Sequence, residues 1–126
     1  MFGKCKALSS FSVDDIDAAR TFYEETLGIP TTDEAVGFKL HLSGTEIFIY
    51  PEGSGHQPAS YYVLSILVDN IDKAVAELNQ KHIKIESFEG LPQDKSGIVR
   101  GKARGMGPDL ALFRDPAGNL LTVAEM

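Results

Sequence analysis

The sequence predicts an α+β fold of two βαβββ modules that together form a concave mixed sheet, and three observations carry that reading. The stretch Phe11-Ser12-Val13-Asp14-Asp15-Ile16-Asp17-Ala18-Ala19 returns as Ile66-Leu67-Val68-Asp69-Asn70-Ile71-Asp72-Lys73-Ala74, so one strand-to-helix unit occurs twice. Each copy is followed by a glycine-centred hairpin, at Ser43-Gly44-Thr45 and at Asp115-Pro116-Ala117-Gly118-Asn119. Val68 follows Val13 by 55 positions whereas Gly118 follows Gly44 by 74, and the difference of 19 matches a glycine-rich insertion spanning 89–107. Single-domain organisation over 1–126 follows, with module one at about 1–52, a turn-rich connector at about 51–59 and module two at about 60–126.

Alternation of side chains places Phe11 and Val13 on one face of a first strand, Lys6 to Val13, with Leu8, Ser10 and Ser12 on the other. Asp14 or Asp15 caps the helix that follows, Ile16, Ala19, Tyr23 and Leu27 share its inner face, and Gly28 with Pro30 ends it. Phe38 to Leu42 and Ile47 to Tyr50 form the first hairpin. In module two the same order gives a strand at Tyr61 to Val68, a cap at Asp69 or Asn70, and a helix burying Ile71, Ala74, Val75 and Leu78. A further strand is expected at Ile83 to Phe88, then the long loop 89–107, then a hairpin of Leu110 to Phe113 and Leu120 to Ala124. The loop is read as a hinged lid, its Ile98, Val99 and Met106 covering an apolar ligand while its Lys and Arg side chains remain in solvent or meet a polar substituent.

Composition narrows the function. A net charge of -6 disfavours a nucleic-acid partner, which requires clustered Lys and Arg, and leaves neutral or cationic small molecules as candidates. No apolar run is long enough to cross a membrane, and Met1 to Ala7 has no apolar stretch behind its charges, so a cytoplasmic location is expected. The lone Cys5 has no partner for a disulfide or a metal knuckle. Gly97 to Ala103 lacks the spacing and the hydroxyl of a phosphate loop, and neither a nucleophile elbow nor a Ser-His-Asp order is present. His41, His56 and His82 are scattered over three elements and are read as unrelated surface histidines.

A Val-Asp followed by Asp or Asn opens the helix in both halves; with Phe22-Tyr23, Leu27-Gly28 and the closing Asp115-Pro116-Ala117-Gly118-Asn119, the chain resembles the vicinal oxygen chelate superfamily over nearly its whole length. That superfamily includes glyoxalase I, extradiol dioxygenases, fosfomycin-resistance enzymes and bleomycin-binding proteins. The resemblance implies metal ligands five residues before each Val and four residues after each hairpin glycine; here those positions are Leu8, Val63, Phe48 and Thr122, none a normal ligand. A metal-free protein with no catalytic residue and no cofactor is therefore expected, with Leu8, Phe48 and Val63 lining a dry pocket and Ser10, Tyr50, Ser65 and Thr122 orienting a largely apolar small molecule. Sequestration in the manner of bleomycin-binding proteins, in a homodimer, is what the resemblance implies. Two alternatives stand beside it: a glyoxalase-like or dioxygenase-like enzyme with other ligands, and a dimeric interaction module with a vestigial pocket.

Overall fold

The computed structural model describes residues 1–126 and resolves them into two compact units, Met1–Pro58 and Ala59–Met126. In the first, β1 (Ser9–Val13), α1 (Ile16–Arg20), β2 (Thr31–Asp33), β3 (Phe38–Leu42) and β4 (Thr45–Pro51) follow in order. They build a sheet in the order β1-β4-β3-β2, with β1 parallel to β4 and the other pairs antiparallel. Asp15 is the helix cap, its Oδ1 accepting from the amides of Asp17 and Ala18 at 3.0 and 3.1 Å. From Thr21 to Thr26 the helix widens into a π turn, so that the Leu27 amide donates to the Phe22 carbonyl at 2.9 Å, and Gly28, at φ 70°, ends it. The widened turn keeps Tyr23 fully buried beside Phe11, ring centroids 6.1 Å apart, while Leu27 is only half-buried. Phe11, Val13, Phe38, Leu40, Ile47 and Ile49 complete this core.

The second unit contains β5 (Tyr62–Leu67), α2 (Ile71–Gln80), β6 (Val99–Arg100), β7 (Asp109–Arg114) and β8 (Leu120–Glu125), in the sheet order β5-β8-β7-β6. Asn70 caps α2, its Oδ1 accepting from the Lys73 amide at 3.0 Å, and Ile71, Val75 and Leu78 are its buried face. The α+β class and the repeated βαβββ order, each unit with a four-stranded mixed sheet, agree with the sequence.

Three expectations are corrected. The first strand starts at Ser9, not Lys6, because Ser9 pairs with Ile47 and β4 begins only at Thr45, which leaves almost no partner strand earlier. Ile83 to Phe88 is not a strand; it contributes one bond to the sheet, from the Glu86 amide to the Leu112 carbonyl at 2.7 Å, and the edge position belongs instead to the two-residue β6. The 89–107 segment is not a free flap: Ile98 is fully buried, Val99 and Arg100 pair with Leu110 and Asp109, and a short helical turn, Lys102–Arg104, follows. A Cβ at Gly101 would lie 2.3 Å from the Pro108 carbonyl oxygen, so only glycine lets the segment double back this closely on β7.

Candidate functional site

Opposed residues of a ladder share a face and successive ones alternate. In the first unit Ser10 opposes Phe48, and Ser12 opposes Tyr50, on the face away from Phe11 and Val13. The Phe48 and Tyr50 rings stack at 5.8 Å with 23° between planes. His56, from the connector, reaches this face, its Nδ1 2.7 Å from Ser12 Oγ. Leu8 lies just before the ladder, 46% exposed, on a groove of about 480 Å³ lined also by Lys6, Ser9, Gly44 and Glu46. His41 closes a separate surface network, with Nε2 2.5 Å from Thr32 Oγ1 and Nδ1 3.3 Å from Glu46.

In the second unit Ser65 opposes Thr122, and Thr122 Oγ1 donates to Ser65 Oγ at 2.8 Å. Thr122 is 1% exposed, so this bond satisfies an otherwise stranded hydroxyl. Val63 does not join them in the ladder: the register slips between Tyr62, opposite Leu120, and Leu64, opposite Leu121, leaving Val63 as the extra residue of a bulge. The structure thus groups Ser10 with Phe48 and Tyr50, and Ser65 with Thr122, but sets Leu8 and Val63 apart from the pairing.

A shallow, solvent-open hollow of about 440 Å³, which the sequence reading missed, lies beside this second face. Tyr61, Tyr62, Phe88, Leu91, Leu112 and Leu120 give it apolar walls, with Ser60, Glu89 and Gly90 completing the lining. Its wall is shaped by a turn in which the Leu91 amide donates to the Phe88 carbonyl and Gly90 sits at φ 83°. Gln93 holds that turn: its Oε1 accepts from the Phe88 amide at 3.0 Å and its Nε2 donates to the carbonyls of Glu86 and Gly97 at 2.8 and 2.9 Å. The visible signals were the Tyr61-Tyr62 pair at a strand start and the Phe88-Glu89-Gly90 turn sequence.

Three charges of the 89–107 segment, on Asp94, Arg100 and Lys102, are paired within the same unit. Arg100 forks onto Asp72 with bonds of 2.6 and 3.1 Å and reaches Asp94 at 3.0 Å, and Lys102 pairs with Glu125. The Arg100 hydrogen bond holds Asp72 below its ordinary carboxylate pKa, and Arg100 is itself raised by Asp72 and then Asp94. At Asp94 burial pushes the pKa up, but amide bonds from Ile98 and Ser96 together with Arg100 outweigh it and the net shift is downward. Glu125 is lowered by Lys102 and by the Ile71 amide.

The family description for the Glyoxalase/Bleomycin resistance protein/Dioxygenase superfamily matches residues 8–123, nearly all of this architecture. The chain belongs to that superfamily. Solved structures of like fold include a glyoxalase family protein from Enterococcus faecalis, 24% identical with a TM-score of 0.70, covering 99% of this chain and 100% of that one. An antibiotic binding protein from a Streptomyces species is 21% identical, TM-score 0.65, with 97% of each chain covered. A lactoylglutathione lyase from Agrobacterium tumefaciens is 17% identical, TM-score 0.65, covering 97% of this chain and 93% of that one. No curated protein matches the sequence.

Membership in the superfamily raises the question of a divalent metal, and the residues do not fit one. Leu8, Phe48 and Val63 offer no donor atom, Thr122 already donates its hydroxyl to Ser65, and no group of three or more His, Cys, Asp or Glu side chains is arranged to hold an ion. No helix is long and apolar enough to cross a membrane.

Proposed function

We propose that this superfamily member is a metal-free binding protein that sequesters a small, largely apolar molecule in the cytoplasm, as a homodimer, with no catalytic step of its own. The observation that carries the reading is the coordinated loss of donors at Leu8, Phe48, Val63 and Thr122, each replaced by an apolar or internally satisfied side chain. The stacked Phe48 and Tyr50 rings, with Ser10 beside them, supply apolar area with a few hydroxyls to orient a guest. The likeness to an antibiotic binding protein supports sequestration as a use of this fold. A metal-dependent lyase or dioxygenase reading would need a donor set that these positions do not provide.

Elemental analysis of purified protein, with melting curves in the presence and absence of EDTA, tests the metal-free half. The expected result is no stoichiometric divalent ion and an unchanged Tm; one equivalent of zinc, nickel, manganese or iron whose removal lowers Tm overturns it. A thermal-shift screen of small molecules tests binding, since a ligand at a hundred times its Kd stabilises the native state by about 2.7 kcal/mol. A screen of apolar and amphipathic compounds that never raises Tm would sink the binding reading.

A further inference from the structure

The geometry points to a specific ligand class for the hollow beside β5: a lipophilic monocation, an aromatic or alkyl amine whose body lies against Tyr61, Tyr62 and Phe88 while its charged nitrogen meets the Glu89 carboxylate. This rests on the small-molecule-binding reading above and goes beyond it by naming a second place, in the other unit from Phe48 and Tyr50, and the charge of its guest. Tyr61 and Tyr62 are 68% and 49% exposed although they are large, partly apolar groups where β5 begins, and they line the same hollow as the buried Leu112 and Leu120. Aromatic side chains attract a cation through their quadrupoles as well as through area, and the two exposed tyrosines carry no cation of the chain itself.

Charge accounting fixes the sign. Glu89 is the one charged group of the lining, and it takes part in no ion pair. The Arg114 guanidinium lies 5.9 Å over the Phe88 ring but is already held by Glu86 at 3.1 Å and by the Gly118 carbonyl at 2.9 Å. Arg100 and Lys102 are likewise engaged with Asp72, Asp94 and Glu125. An anionic guest would therefore face the Glu89 carboxylate with no cationic side chain in the lining to receive it, whereas a cationic one meets the one charge the lining carries. Gln93, by clamping the Phe88 to Leu91 turn, is a positioning residue for this wall.

Fluorescence titration of the full chain with 9-aminoacridine, a planar cation, and with the anion 1-anilinonaphthalene-8-sulfonate tests the assignment. The expected result is saturable binding of the cation at one equivalent, weakened about fivefold by Glu89→Gln as befits a partly exposed ion pair, with the anion unchanged or tightened by the same substitution. Tyr61→Ala, at an exposed position that folding does not need, should weaken the cation as well. Equal affinity of wild type and Glu89→Gln for 9-aminoacridine overturns the cationic assignment, even where Tyr61→Ala still weakens it. Absence of dye binding alongside a successful thermal-shift hit of other chemistry overturns this inference alone and leaves the broader binding reading standing.

Discussion

Thr122 shows how one residue can read in two ways. Its place four residues after Gly118 is where the superfamily resemblance implies a metal ligand, yet it is buried and its hydroxyl is matched to Ser65 at 2.8 Å. Thr122→Val keeps the shape and removes the bond, so a loss of about 1 kcal/mol is expected in urea denaturation. Thr122→Glu, which would restore a carboxylate, should instead cost several kcal/mol (about 3 or more) because the charge would be buried without a partner. Wild-type stability for Thr122→Glu would show that the site can accept a carboxylate, and would reopen the metal question. That Thr122 and Ser65, and Phe48 and Ser10, belong on shared faces was legible because a period of two fixes faces once the strands are found, whereas which residue opposes which was not. Val63 was not, since Tyr61-Tyr62-Val63-Leu64 alternates the same way whether or not a bulge shifts its register.

At the scale of elements, the tight hairpins were readable from their turn chemistry and the 89–107 segment was not. Asp115 explains the former: its Oδ1 accepts from the amides of Ala117 and Asn119 at 3.0 and 2.9 Å, and its Oδ2 from Asn119 Nδ2 at 3.0 Å, inside a buried turn. Asp115→Ala should cost about 2 to 3 kcal/mol, read by chemical denaturation, because it strands buried donors; a loss below a few tenths would mean water replaces the carboxylate without penalty. The 89–107 segment is instead held both by its own Gln93 and Asp94 and by residues remote in sequence, such as Asp72 on Arg100, and local composition carries no trace of the remote pairing. Its pH response has a definite sign. Asp72, Asp94 and Glu125 have folded pKa values below their unfolded ones, so their stabilising effect is present above the unfolded carboxylate range, near pH 4, and is lost as pH falls through the lowered values. Carboxyl carbon NMR titration should show all three titrating below reference carboxylates, and Arg100→Ala should return Asp72 toward the ordinary range. Ordinary titration of Asp72 in the wild type would remove Arg100 as the anchor of the segment.

For the whole molecule, the sheets themselves bear on assembly. Each unit has its own core, and each ladder stops at its first strand, β1 in one and β5 in the other, with no further strand bonded outside it. Exposed strand edges are templates for pairing, and soluble proteins cover or charge them. Here β5 ends in Leu67, 66% exposed, and begins with the exposed Tyr62, so its border is apolar at both ends and carries no charge until Asp69. A second copy is the occupant that the proposed homodimer supplies, and burying such side chains is worth about 25 cal/mol for each Å² removed from water. Light scattering coupled to size exclusion should therefore report twice the monomer mass at micromolar concentration, and Leu67→Lys should shift the balance toward monomer without lowering the stability of the isolated chain. A monomer at every concentration tested would refute the dimer. A dimer indifferent to Leu67→Lys would place the contact elsewhere, away from the border of β5.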